Sequence, residues 1–341
     1  MKKLLFIPIL LLLCAKLVPQ IEQTGIAVEE LYVPIFNYEI VNFSEYNSTS
    51  SRLDIFIQVP FNVIKFVKAQ NGIFKAEYSV TISIFNDKKD KLHLEKTWNE
   101  KVESPDYEQT ISTTNYQLGI RSFILTPGNY VIKIEVEDRD SRKKHSIESP
   151  KTVRNFNSQF SLSDLIFIDN KHWSNDIKKI FPNVHRTISN PKEGVPFFFE
   201  IVSDTTKEVS IVYNIFDKDK KSIFQTSEKR ELVTGINQIF RRIEKTDFGL
   251  GDYNLQIDVR DSERNINLST NKNFYNRIEG IPFVIKDLNK AIEQMVYIAT
   301  SSELDSLRNN ISEETKFKRF FEFWKRKDPN PATSENKVFN E

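Results

Sequence analysis

LTPGNYVIKIEVEDRDS, residues 125–141, and GLGDYNLQIDVRDSE, residues 249–263, are the stretches on which the fold turns. Each contains Gly-x-Tyr, at Gly128 and Gly251, and continues with an apolar side chain at every second position. In the first these are Tyr130, Ile132, Ile134 and Val136; in the second, Tyr253, Leu255, Ile257 and Val259. Both runs close on an aspartate, Asp138 and Asp261. A period of two sends alternate side chains to opposite faces of a strand. The pattern therefore predicts antiparallel strands with one face on a core and the other in water.

The likeness extends upstream. SVTISIFNDKKDK (79–91) matches VSIVYNIFDKDKK (209–221), with Ile84-Phe85-Asn86 against Ile215-Phe216-Asp217. In each copy a strand runs into a polar turn of Asn, Asp and Lys, and a hairpin partner follows. Leu53, Ile55 and Ile57 show the same alternation earlier in the chain. A tyrosine at the head of a late strand resembles immunoglobulin-like and fibronectin-like sandwiches, where it ties the corner to nearby backbone. Tyr130 and Tyr253 are read as such structural residues, and Gly128 and Gly251 as permitting the tight turn before them. The expected fold is mainly β: two tandem immunoglobulin/fibronectin-like antiparallel β-sandwiches, over residues 32–148 and 158–276, followed by a C-terminal α-helical segment. A polar join containing Pro150 separates them near 148–159. SLSDLIFID (161–169) reads as a strand that opens the second sandwich or bridges both. Phe197, Phe198 and Phe199 in a row imply burial on both faces, or one exposed aromatic at an interface.

Residues 284–341 change character. Ile285, Leu288, Ile292, Met295 and Ala299 recur at helical spacing. Thr300 with Glu303 fits a capping box, with Leu304 and Leu307 inward, and Ser312 suits the cap of a third helix. Phe317, Phe320, Phe321 and Trp324 then form an aromatic stripe. It reads either as a helix packed on its neighbour or as a docking face for a partner protein. Lys325, Arg326 and Lys327 suit the negative end of a helix dipole, and Asp328-Pro329 ends the helix.

Within this region FWKRKDPNPATSEN (323–336) resembles the segment that precedes the namesake motif of bacterial GWxTD domain-containing proteins. The matching residues are Phe323, Trp324, Lys325, Lys327, Asp328, Pro329, Pro331, Thr333, Glu335 and Asn336. The resemblance implies an exported protein, and location and architecture more than mechanism. Gly-Trp-x-Thr-Asp itself does not occur in these 341 residues. On this resemblance the chain reads as truncated before the motif or as a form whose downstream part is lost.

MKKLLFIPILLLLCAKLVPQ (1–20) reads as a signal peptide. Lys2 and Lys3 precede an apolar run, Leu4 to Ala15, too short to span a bilayer. Cys14, the one cysteine, reads as a lipid-modified N-terminus or as apolar filler of the signal. Without residues 1–20 the chain holds no cysteine, which excludes disulfides, a thiol nucleophile and cysteine–metal sites. The formal charge of +1 carries no nucleic-acid footprint, and 9 glycines are few for a nucleotide cradle. His93, His145, His172 and His185 stand at no metal-ligand spacing. Asp87, Asp217 and Asp219 read as turn formers; the neighbouring lysines Lys88, Lys89, Lys91, Lys218, Lys220 and Lys221 read as loop solubilisers.

The expected function is that of an exported, non-catalytic protein of the periplasm or outer membrane. It binds or scaffolds another envelope protein, has no cofactor, metal or nucleic acid, and associates with the membrane peripherally or by a lipid anchor. Two other readings are kept: the accessory N-terminal half of an envelope enzyme, and a carbohydrate-binding module using Trp98, Trp173 or tyrosines as stacking platforms.

Overall fold

A computed structural model describes residues 35–45, 47–112, 115–156, 160–173, 180–188, 193–244, 249, 251–276, 288–308 and 313–327. The readings of the signal peptide, Cys14, Ser312 and residues 328–341 lie outside the described residues.

The first sandwich comprises β1 (Asn37–Ser44), β2 (Ser51–Pro60), β3 (Val67–Lys68), β4 (Phe74–Asn86), β5 (Leu92–Ser104), a single turn α1 (Tyr107–Thr110), β6 (Tyr116–Leu125), β7 (Gly128–Asp138) and β8 (Lys144–Val153). Sheet I is β1-β2-β6; sheet II is β5-β4-β7-β8, with β3 beside the start of β4. In immunoglobulin lettering these are A-B-E and C′-C-F-G. Leu53, Ile55 and Ile57 of β2 meet Ile82 and Ile84 of β4 and Ile132 and Ile134 of β7 in one core. The boundary expected at 148 falls inside β8, which runs on to Val153. Pro150 is tolerated there because β8 is an edge strand with one partner, β7.

The second sandwich repeats this plan with β9 (Phe160–Leu162), β10 (Ile166–Phe167), β11 (Thr187–Ile188), β12 (Val195–Ser203), β13 (Lys207–Asp217), β14 (Ser222–Leu232), β15 (Gly235–Ile243), β16 (Gly251–Asp261) and β17 (Ile266–Asn276). In sheet III, β9 and β10 both pair with β12, which pairs with β15. Sheet IV is β14-β13-β16-β17-β11. The repeat holds in detail. Tyr130 Oη donates to the Thr126 carbonyl at 2.8 Å and Tyr253 Oη to that of Gly249 at 2.7 Å, both four residues back. The hairpin ladder slips between Ile84 and Phe85 in one copy and between Ile215 and Phe216 in the other. Lys89 and Lys220 take left-handed φ of 60° and 61° in matching turns.

Gly128 and Gly251 have no left-handed backbone. A Cβ there would rest in ordinary contact on the tyrosine two residues ahead, at 3.5 and 3.4 Å. The turn therefore does not require them, contrary to the reading above. Gly194 is different: at φ +83° its Cβ would lie 2.6 Å from the Ile243 carbonyl oxygen.

All nine residues of β12 are buried. Phe197 and Phe199 enter the second core, whereas Phe198 faces the other way. It packs with Phe240 at 4.5 Å and with Phe43 of β1 at 5.9 Å between ring centroids. Val41, Phe43 and Phe56 from sheet I, Ile166 and Phe198 from sheet III, and Ile168 just after β10 make a third apolar cluster. The sandwiches are thus joined face to face, in the layer order II, I, III, IV. The three phenylalanines are buried on both sides, and residues 161–169 both open the second sandwich and bridge to the first.

Ionic contacts frame this joint. Asp164, between β9 and β10, accepts from Asn42 N at 2.9 Å, Lys151 Nζ at 2.7 Å and Arg154 Nη2 at 2.6 Å. Burial opposes its charge, but the two cations and the Asn42 amide outweigh burial and hold its carboxyl below the usual range. Glu200 of β12 accepts from Arg52 Nη2 at 3.4 Å and Gln238 Nε2 at 3.3 Å. Its burial wins, pushing its carboxyl upward. Glu39 of β1 pairs with Lys272 of β17.

The C-terminal segment holds α2 (Leu288–Gln294), α3 (Ser301–Arg308) and α4 (Glu313–Lys327). The capping box forms: Glu303 Oε2 accepts from Thr300 N at 2.9 Å and Thr300 Oγ1 from Glu303 N at 3.4 Å. Among the described residues no helix is long and apolar enough to cross a membrane.

Phe198→Ala should lower unfolding free energy by about 3–5 kcal/mol and split one denaturant transition into two; a single unchanged transition would show that the joint does not couple the sandwiches. Asp164→Asn should cost about 3 kcal/mol at neutral pH, since Lys151 and Arg154 lose their counter-charge. Because the folded-state pKa of Asp164 is depressed, its contribution is present above the ordinary carboxylate range and lost as pH falls. The gap between wild type and variant in urea titrations should shrink between about pH 5 and pH 2.

Candidate functional site

Sheet IV turns one face to the second core and the other outward. On the outer face, β16 presents Asp252, Asn254, Gln256 and Asp258, and β17 presents Ser269, Asn271, Asn273 and Tyr275. The register sets Asp252 opposite Tyr275, Asn254 opposite Asn273 and Gln256 opposite Asn271. The β13–β14 hairpin forms a rim of Phe216, Asp217, Lys218 and Lys220. With Asp252, Asn254, Gln256, Asn271, Asn273 and Tyr275 they line a shallow trough of about 590 Å³.

The floor is cross-linked by amides. Asn254 Nδ2 donates to Asn273 Oδ1 at 2.7 Å and Asn271 Oδ1 at 3.3 Å. Gln256 Nε2 donates to both Asp258 oxygens, at 3.0 and 3.1 Å. The rim is held by Asp217 Oδ1, which accepts from the backbone amides of Asp219 and Lys221, each at 2.9 Å. Asp217 is therefore the turn former the sequence suggested, and it also fixes one wall.

The sequence reading missed the trough. Asparagine is depleted in strands, so Asn267, Asn271 and Asn273 at alternate outward positions of one strand were the available signal. That they face one side with Asn254 and Gln256 depends on the β16–β17 register, which residue types alone do not give.

The residues singled out in the helical segment lie elsewhere. Phe320 and Phe323 are each 1% exposed, in a cluster with Leu288, Ile292, Met295, Leu304 and Leu307. Trp324 packs partly against it. Phe320 therefore serves the packing alternative, and its ring is not available to a docking face. The side chains of Phe317 and Phe321 lie outside the described residues. Among the described residues of this segment the exposed large apolar side chains are Val296, Tyr297 and Ile298, with Tyr297 90% exposed.

Neither tryptophan named as a sugar platform presents a clear face. Trp98 packs on the first core beneath Arg121, 4.8 Å from its ring. Trp173 packs against the joint. His172 stacks on Phe181 at 4.4 Å, and His185 lies 3.4 Å from Asn37 Nδ2. Among the described residues no group of three or more His, Cys, Asp or Glu could hold a metal ion.

No family model and no curated protein matches the sequence. Partial likenesses to solved structures include a DUF4785 family protein from Legionella pneumophila, 11% identical, covering 71% of this chain and 56% of that one, at TM-score 0.23. Dimeric latent PorU from Porphyromonas gingivalis is 13% identical over 71% of this chain and 20% of its own, at TM-score 0.28. A calcium-binding mutant of β-glucuronidase 2 from Bacteroides uniformis is 7% identical over 70% and 28%, at TM-score 0.24. The chain thus spans little more than half of the first and under a third of the others. At such TM-scores these likenesses carry no argument, and the architecture rests on the strand pairing above.

The rim makes its own prediction. Lys220 holds a left-handed backbone that glycine adopts without strain, partly offset by glycine's greater unfolded-state freedom. Lys220→Gly should raise stability by about 0.5–1 kcal/mol in calorimetry. Lys89→Gly, at the matching turn, should gain less because it also removes the 2.7 Å ion pair to Glu148.

Proposed function

We propose that this chain is an exported, non-catalytic binding protein of the cell envelope, built as a rigid four-layer β-stack with a helical segment after it. The observation that carries the binding reading is the trough on sheet IV: polar side chains converge on the outer face of a sheet that the second core and the joint hold in place. The face-to-face joint argues for a platform over a linear spacer, because side-by-side packing shortens what two tandem modules could span.

Export rests on the sequence of residues 1–20. The similarity of residues 323–336 to the approach of the GWxTD motif supports membership of that family and an envelope location, with another envelope protein as partner. Lipid attachment at Cys14 is the alternative to cleavage near residue 20, which would remove Cys14 with the signal.

The test is expression of the full chain in a Gram-negative host, followed by fractionation and intact-mass measurement. The expected product lies in the periplasmic or membrane fraction and has lost a segment of about 20 residues. A chain that keeps Met1 and stays in the cytoplasm would overturn export. Lipidation at Cys14 would appear as added acyl mass that vanishes in Cys14→Ser.

A further inference from the structure

The two sandwiches supply an internal comparison. Strand for strand, the outward positions that hold Asn254, Gln256, Asn271 and Asn273 in sheet IV hold Val131, Lys133, Glu148 and Pro150 in sheet II. The backbone is the same, with the same hairpins, bulge and left-handed lysine. In the first copy the face closes on itself: Lys89 reaches down from its hairpin to Glu148 at 2.7 Å. In the second copy Lys220 stands where Lys89 does, but the position of Glu148 is taken by Asn271. The bridge has no acidic end there, and the trough lies open beneath the hairpin.

Folding does not explain the exchange. Asparagine is disfavoured in strands, and the first copy shows that this frame accepts a valine at the place of Asn254 and ion-pairing Lys133 and Glu148 at those of Gln256 and Asn271. A cluster of residues that contradicts local preference without a packing gain is what a functional surface looks like.

We propose that this face of sheet IV binds a neutral saccharide chain. With the Asn254 and Gln256 donors taken up within the floor, the Nδ2 groups of Asn271 and Asn273 supply donors and the amide oxygens of Asn254 and Gln256 supply acceptors, which suits sugar hydroxyls that both give and take hydrogen bonds. Phe216, half-buried on the hairpin side of the floor, suits the apolar C–H face of a sugar ring, while Tyr275 on the other side carries Arg186 over its ring at 5.7 Å and serves as a wall. Asp217 and Asp252 balance Lys218 and Lys220 around the trough, so the site favours neither a polyanion nor a polycation. Its shallow, open form fits a chain lying across a sheet rather than an enclosed small molecule. This inference deepens the binding reading above and rests on it, but not on export.

The experiment is affinity electrophoresis of the intact protein through native gels containing dextran, laminarin, galactomannan or hydroxyethyl cellulose, with alginate and gelatin as acidic and polypeptide matrices. The expected result is retardation by at least one neutral polysaccharide. Asn254→Val and Asn271→Glu, the residues of the first copy, should each weaken it about tenfold or more with thermal unfolding unchanged. Asn271→Glu should close the trough by restoring the lysine bridge. If either variant fails to fold, the exposed Asn273→Thr asks the same question. Passage through all four neutral gels without retardation would overturn the proposal. So would retardation indifferent to the substitutions, or stronger retardation by alginate or gelatin. A chain that binds yet stays cytoplasmic would defeat the envelope reading and leave the site intact; an exported chain that binds none of the gels would do the reverse.

Discussion

Burial of both faces of β12 is the constraint on which the arrangement depends. A strand in an ordinary sandwich needs one apolar face. β12 has two, because Phe197 and Phe199 fill a core while Phe198 fills the joint. Once Phe198 and Phe240 are apolar on the outside of sheet III, that sheet must be covered. The outer side of sheet I, with Val41, Phe43 and Phe56, covers it. The ionic contacts follow from this closure. Asp164 and Glu200 are drawn toward low dielectric, where an unpaired charge would be costly. Asp164 gains two cations and an amide and stays ionised. Glu200 gains a long contact to Arg52 and an amide, and its carboxyl moves upward. Such pairs add less to net stability than their geometry suggests, because desolvation offsets much of the attraction. Their clearer effect is to set how one sandwich sits on the other.

Duplication with divergence organises the rest. The two copies agree wherever backbone geometry is at stake: the tyrosine bond four residues back, the bulge before the hairpin, the left-handed lysine and the aspartate closing the late strand. Asp138 accepts from Ser141 N at 2.6 Å, and Asp261 from Glu263 N at 3.1 Å and Arg264 N at 3.2 Å. They differ on the outward face of the outer sheet, where side chains owe nothing to the core. One copy spends that face on ion pairs, the other on amides. A fold does not imply a function, and here the same fold occurs twice with two surfaces.

Residue types and spacing alone determined a good deal. Alternation at Tyr130–Val136 and Tyr253–Val259 specified strands, their likeness specified two copies, and Thr300 with Glu303 specified a helix start. Each is a local matter, decided within a few residues by the period of the backbone or by a side chain bonding its own neighbours. Tertiary structure decided what depends on distant parts of the chain. Pro150 looked like a linker and lies in an edge strand, because only the pairing of β8 with β7 shows where it sits in the sheet. The aromatic stripe left both packing and docking open, with packing favoured, and the helical cluster around Phe320 assigned that ring to packing. The amide trough joins β16, β17 and the hairpin around residues 216–220, far earlier in the sequence. No local pattern carries that meeting, since strand register, set by burial of the opposite face, is what brings those side chains to one side of one sheet.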